Sequence, residues 1–274
     1  MAKGQAKYGC SLFADIQKGV NMKRKGTTVL STVTLLTILL STHSLAGPVL
    51  DWTTFIGSSS DDRCQAIITD DAGNSYMVGD SAATWGSPVR GFSVGSGTRD
   101  PFVAKLNSSR VLQWNTFLGG SSDDMGAAIA RDDSGNLYVY GTSQGTWGAP
   151  KRAYTAGKDG SAAKLNSGGI LQWNTFLGNT LDDVRFGIAV SAGGNSFLVG
   201  YSYSPWGTPL RSYTAFTDGY VARLDTDGNL QWSTFLGGTA SDSIYGIFRH
   251  PGTTDLYLAG YSSADWGAPI RSYK

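Results

Sequence analysis

Carboxylates, guanidinium groups and indoles recur in this chain at fixed spacing, and they are its chemistry-bearing residues. Adjacent pairs stand at Asp61–Asp62, Asp123–Asp124 and Asp182–Asp183, and Asp242 holds the same place in a fourth copy. Paired carboxylates can hydrolyse glycosides, one as acid and the other as base or nucleophile. Neighbours in sequence need not face each other, however, and three copies of one pair suggest a structural device at a chain crossover. Trp85, Trp147, Trp206 and Trp266 each open a Trp-Gly-x-Pro segment that closes on Arg90, Arg152, Arg211 and Arg271. Indole platforms and guanidinium forks suit carbohydrates, anionic groups or a protein partner. The structural alternative has each Arg pairing with Asp and stacking on an aromatic ring to lock its own loop. Recurrence in every copy favours that alternative, because a binding site usually occupies one place.

Other catalytic constellations are poorly represented. The chain has 2 His and 2 Cys, too few for the usual zinc clusters. His43 and Cys10 lie in an N-terminal leader, and His250 falls in the turn Arg249-His250-Pro251-Gly252, so a serine triad would rest on one turn residue. Cys64, left alone, reads as a small buried apolar residue. Asp225-Thr226-Asp227-Gly228-Asn229 has some character of a calcium loop, but the equivalent segments begin at Asn107 and Asn166, and no Glu completes the pattern. No metal and no cofactor are expected.

The elements that would position these residues follow from composition and repetition. Charged residues are 16% of 274, Gly numbers 37, and all 21 acidic residues are Asp. A Glu-free chain rich in Gly, Ser and Thr is a poor helix former, while 41% hydrophobic and 12% aromatic content supports a folded core. Met22-Lys23-Arg24-Lys25, the apolar run from Val29 to Leu40 and Ser44-Leu45-Ala46 follow the order of a secretory signal. Residues 1–46 are therefore expected to be a leader, with 1–21 an extension and 22–46 the signal peptide, cleaved near Ala46. Residues 47–274 are expected to form the folded domain, secreted or displayed at the cell surface with no membrane span. Removing the leader's 6 Lys/Arg and 1 Asp from totals of 22 and 21 leaves 16 and 20, a net charge of −4. That balance offers no electrostatic support for nucleic-acid binding.

Leu50-Asp51-Trp52-Thr53-Thr54-Phe55-Ile56-Gly57 returns at 112–119, 171–178 and 230–237, with Trp spacings of 62, 59 and 59 residues. All 8 Trp belong to this repeat. Each unit divides into four strand-like pieces. In the second copy these are 125–132, 137–142, 159–165 and 171–178, the first two joined by Asp133-Ser134-Gly135-Asn136, a tight-hairpin sequence. The expectation is all-β: a β-propeller of four tandem repeats of about 60 residues, the last incomplete, in antiparallel four-stranded blades. Stacking should bury Ile67, Ile129, Ile188 and Ile247, while Ala66, Ala128, Gly187 and Gly246 stay small at a close approach. The third strand recurs three times and the second four times, so an open arc or a fragment of a larger propeller is expected. Leu50–Gly57 is placed to supply a last fourth strand, and an open arc would tend to self-associate.

The pattern Leu-Gln-Trp-Asn-Thr-Phe-Leu-Gly-Gly-Ser-Ser-Asp-Asp, with the Ser-Gly-Asn hairpin and Asp-x-x-x-Ala-Lys-Leu-Asn, resembles the bacterial SBBP-type beta-propeller repeat over essentially all of 50–274. The blade is also similar to the NHL repeat. The resemblance implies an exported or surface protein of unassigned biochemical role and transfers no catalytic residue. The 222–232 segment is similar to the tryptophan-docking motif of quinoprotein propellers, which implies an interblade Trp and no quinone.

In an up-and-down blade, alternate connections emerge at opposite ends. Asp62, Asp124, Asp183 and Asp242 therefore share a loop-rich face with the Trp-Gly-x-Pro-x-Arg segments. The expected function is a non-catalytic binding or scaffold module for a protein or glycan. The alternative is an Asp-dependent glycan hydrolase or lyase on the same scaffold.

Overall fold

A computed structural model describes residues 10–15, 50–93, 95 and 98–273. Their regular structure is all strand, with no helix among them. Of these residues, 11–15 and 50–55 belong to one unit, and Cys10 with the residues from Ile56 onward to another. The smaller unit centres on a two-stranded sheet of β1 (Cys10–Asp15) and β2 (Leu50–Ile56). β2 thus corrects one expectation. It pairs with a strand from the segment read as leader and does not complete the last blade, because an extended segment's backbone donors and acceptors are satisfied by whichever strand lies alongside.

The larger unit contains three complete blades. The first is β3 (Asp62–Thr69), β4 (Ser75–Ser81), β5 (Asp100–Leu106) and β6 (Leu112–Phe117). The second is β7 (Asp124–Arg131), β8 (Leu137–Ser143), β9 (Asp159–Leu165) and β10 (Leu171–Leu177). The third is β11 (Asp183–Val190), β12 (Ser196–Ser202), β13 (Asp218–Leu224) and β14 (Leu230–Leu236). A last hairpin, β15 (Asp242–Arg249) and β16 (Leu256–Ser262), forms a sheet of two strands. Every complete blade is an antiparallel meander in sequence order.

Local sequence explains each strand and turn. Asp70 Oδ1 accepts the Ala72 and Asn74 amides at 3.1 and 2.9 Å, closing the first hairpin as an Asx turn. The buried hydroxyl of Tyr76 donates to Asp70 Oδ2 at 3.0 Å. Asp132, Asn136 and Tyr138 repeat the arrangement. At the other turn of this face Asn107 Oδ1 accepts two amides, Ser109 and Val111, and Asn166 and Asp225 do the same. Each first strand carries a bulge at its fourth residue, between Cys64 and Ala66 in β3 and between Arg185 and Gly187 in β11.

Blades pack in sequence, β7 on β3 and β4, β11 on β7 and β8, and β15 on β11 and β12. The core lies between them. Tyr76, Val78 and Val103 of the first blade meet Ile129, Leu137 and Val139 of the second, and Tyr138 and Tyr140 meet Leu198 and Tyr220 one junction further on. Gly187 fits the close approach expected of its column, since a Cβ there would stand 3.1 Å from Ile247 Cγ2. Ile129 is buried, and Ile188 and Ile247 pack at junctions. Ile67 departs from the expected burial at 46% exposure, because β3 begins the stack and no blade precedes it in this unit.

Candidate functional site

The four recurring Asp residues are buried at strand starts. Asp124 Oδ2 accepts the Gly120 amide at 2.8 Å, and Oδ1 accepts the Ser143 hydroxyl, which in turn accepts Trp147 Nε1 at 3.0 Å. Asp62, Asp183 and Asp242 hold the amides of Ser58, Asn179 and Gly238 in the same way. Asp124, Asp183 and Asp242 therefore close the crossovers from one sheet to the next, and Asp62 closes the turn that leads into β3. The partner Asp of each pair lies apart from it: Asp61 binds Arg99 at 3.1 Å, Asp182 binds Lys158 at 3.6 Å, and Asp123 accepts the Arg99 amide at 3.1 Å.

A second buried Asp approaches three of the four closures, those of Asp124, Asp183 and Asp242. Asp100 Oδ1 and Asp124 Oδ2 would each lie 2.8 Å from a Cβ at Gly119, so only glycine fits between the two carboxylates. Desolvation pushes Asp100 up to about 7, aided by the charge of Asp124, against the Ser93 amide bond. Burial raises Asp124 to about 6 and Asp183 to about 7. Such values suit acid catalysis, yet Asp100 and Asp183 expose 0% of their surface.

The Arg and Trp residues tie one blade to the next. Arg90 donates to the carbonyls of Phe117 and Gly119 at 2.9 and 2.8 Å, and its guanidinium lies 5.6 Å from the centroid of the Trp147 ring. Arg152 repeats this on Phe176, Gly178 and Trp206, and Arg211 on Phe235, Gly237 and Trp266. Trp85, Trp147 and Trp206 are buried, while Trp266 is 36% exposed and Arg271 is exposed. On the opposite face, the Trp173 ring covers Gly228 of the next blade and its Nε1 donates to Thr226 O at 2.9 Å, and Trp114 covers Gly169.

Asp225, of the calcium-like loop, accepts from Asp227, Asn229 and Gln231, so donors surround it. His250 is an exposed turn residue with Nδ1 2.7 Å from Pro251 O. Cys64 is disulfide-bonded, which corrects its reading as a lone apolar residue.

Positions that break the repeat gather at the inner mouth of the loop-rich face. Phe186 and Tyr245 occupy the bulge position that holds Gln65 and Ala127 in the first two blades. Their rings meet edge to face at 4.7 Å, and Tyr201 stands 5.9 Å from Phe186 and 5.6 Å from Tyr203. Tyr203 and Tyr245 are 46% and 51% exposed. Two charged positions, Asp80 and Arg185, do not recur and interact across the blades. Arg99 bridges Asp80 and Asp61 at 3.1 Å each, and Gln65 donates to Asp80 at 3.3 Å. Burial lowers Arg185, opposed by the charges of Tyr140, Asp80 and Tyr220. Sequence reasoning missed this cluster because it followed the columns that repeat. Its signal was present as departures from them.

Three antiparallel four-stranded blades stacked in order, with a hairpin continuing the series, define a propeller-type repeat fold. The family model for the SBBP beta-propeller repeat matches residues 51–84. No curated protein matches the chain. No helix among the described residues is long and apolar enough to cross a membrane.

Proposed function

We propose that the protein is an exported or cell-surface, non-catalytic binding module whose ligand, a glycan before a protein, meets the inner mouth of the loop-rich face. The observation that carries this reading is the collection of Phe186, Tyr201, Tyr203 and Tyr245 at one place, partly open to solvent. Framework residues repeat because every junction needs them, whereas a ligand needs one site, and exposed rings beside charged groups suit sugar faces and hydroxyls. In this reading the recurring Trp, Arg and Asp residues hold the loops, and Trp266 and Arg271 are the rim members left open to a ligand. Burial of the recurring Asp carboxylates favours binding over hydrolysis.

The test pairs a glycan array with a polysaccharide turnover screen, using the native chain, a Tyr203→Ala/Tyr245→Ala variant and Asp124→Asn. Glycan retention that the double Tyr variant loses at unchanged melting temperature is expected. Turnover abolished by Asp124→Asn in a folded protein would favour a hydrolase or lyase instead.

A further inference from the structure

The loop from β12 to β13 repeats the loop from β8 to β9 with a substitution that works against stability. In the second blade the Tyr154 hydroxyl donates to Gly157 O at 2.9 Å, and the Tyr154 ring packs edge to face on Phe176 at 5.7 Å. Tyr213 does the same in the third blade, on Phe216 O at 2.7 Å and on the Phe235 ring at 5.7 Å. The closed turn holds a left-handed backbone, with φ +68° at Gly157 and +53° at Phe216. Glycine takes that conformation freely, whereas a residue with a Cβ is strained there. Burial does not offset the strain, because Phe216 is 70% exposed. The exposure belongs to the position: Gly157 is exposed too, with the complete third blade following it.

The surroundings make room for the side chain. A Cβ at Gly157 would stand 3.2 Å from Asp182 Oδ1, and in the third blade Ala240 and Ser241, both smaller, take the places of Leu181 and Asp182. The Tyr213 hydroxyl that holds Phe216 O also donates to Tyr203 O at 2.9 Å. Tyr203 is itself a departure from the repeat, standing where the second blade has Gln144. One hydroxyl thus fixes the backbone under two exposed rings, Tyr203 of the inner mouth and Phe216 of the next loop segment. A strained backbone held in place by its neighbours, at a residue that adds nothing to the core, points to a role outside the core.

We propose that Phe216 is a second stacking platform for the ligand, so that the site takes a linear oligosaccharide running from the inner mouth onto the third blade's loop, and not a single terminal sugar. The inference rests on the glycan reading of the inner mouth. A sugar ring offers an apolar C–H face to an aromatic ring and hydroxyls around its rim, so it needs a ring set among polar groups. The setting meets that need: Thr214 and Thr217 stand on either side of Phe216 in the chain, and Ser204 follows Tyr203. A protein partner would call instead for a continuous apolar patch.

The probes are cellobiose, mannobiose, xylobiose and chitobiose and the hexasaccharide of each, titrated calorimetrically into the full chain and its Phe216→Gly and Phe216→Tyr variants. The native chain should bind the hexasaccharide of one series about tenfold tighter than its disaccharide. Phe216→Gly should remove that advantage of length while raising the melting temperature, since it restores the residue the turn prefers. Phe216→Tyr should keep the advantage. A ring with a merely structural role would instead lose stability and binding together. Equal binding of the hexasaccharide by the native chain and Phe216→Gly, no advantage of length in the native chain, or a lower melting temperature for Phe216→Gly overturns the inference and leaves the inner-mouth reading standing. Binding of none of the probes overturns both and leaves the two rings to a protein partner.

Discussion

The guanidinium of Arg90 lies 5.6 Å from the centre of the Trp147 ring, across the junction between the first blade and the second. The same Arg holds two carbonyls of its own blade, so one side chain measures how a blade is closed and where the next one stands. The relationship recurs at Arg152–Trp206 and Arg211–Trp266. It accounts for the Trp-Gly-x-Pro-x-Arg segment as a staple between blades.

Breaking a staple should therefore destabilise the stack. Arg152→Ala removes two charge-assisted hydrogen bonds and a ring contact, for an expected loss of about 2–4 kcal/mol in urea unfolding. Arg152→Lys should recover less than half, because an ammonium cannot fork to two carbonyls while lying against a ring. A loss below about 0.5 kcal/mol, the scatter of ordinary surface substitutions, would contradict the staple.

The turn glycines separate backbone strain from contact. Gly228 has φ +82° and a Cβ there would stand 2.6 Å from the Trp173 ring, whereas Gly252 has φ +80° with nothing within 4 Å. Gly252→Ala should cost about 1 kcal/mol, from the left-handed backbone alone. Gly228→Ala should cost about 3 kcal/mol or more and shift Trp fluorescence as the ring is displaced. Equal losses at the two sites would remove Trp173 from the account.

The buried carboxylates make stability depend on pH with a definite sign. Asp100 and Asp183 stand at about 7 and Asp124 at about 6, all above the unfolded value of 3.8. Between that value and their own, the folded state holds more protons, so their contribution is complete below pH 4 and is lost as pH rises through about 6 to 7. Asp70, lowered to about 2 by bonds from Asn74 and Tyr76 that outweigh its desolvation, acts in the opposite sense only at strongly acid pH. Asp100→Asn should flatten the fall in melting temperature between pH 5 and pH 8. An unchanged slope would show that Asp100 titrates normally.

Arg99 tests the inner mouth. Its partner Asp80 is 1% exposed and Asp61 is 41% exposed. Arg99→Ala leaves buried Asp80 with the Gln65 hydrogen bond and the charge of Arg185 but no ion-pair contact, and should cost about 2–4 kcal/mol. The Asp80→Asn background should recover most of that loss, while Asp61→Asn should recover almost none. Additivity of Arg99 and Asp80 in the double-mutant cycle would refute their coupling.

Strands, turns and repeat length were legible in the sequence because each is decided within a few residues. An Asp or Asn four residues before the last turn amide, a Gly at positive φ and alternating apolar positions specify a hairpin wherever they occur. The incomplete last blade was legible from the missing third strand. Tertiary structure alone decided the partners: Arg90 reaches Trp147, 57 positions further along the chain, and a repeat cannot say whether a conserved-looking pair acts within a unit or between units. It also decided that Leu50–Ile56 pairs with Cys10–Asp15, since backbone ladders carry little sequence information. The aromatic mouth came last: Phe186 and Tyr245 share the repeat spacing, but they meet each other and Tyr201 and Tyr203 only when the third and fourth units are laid side by side.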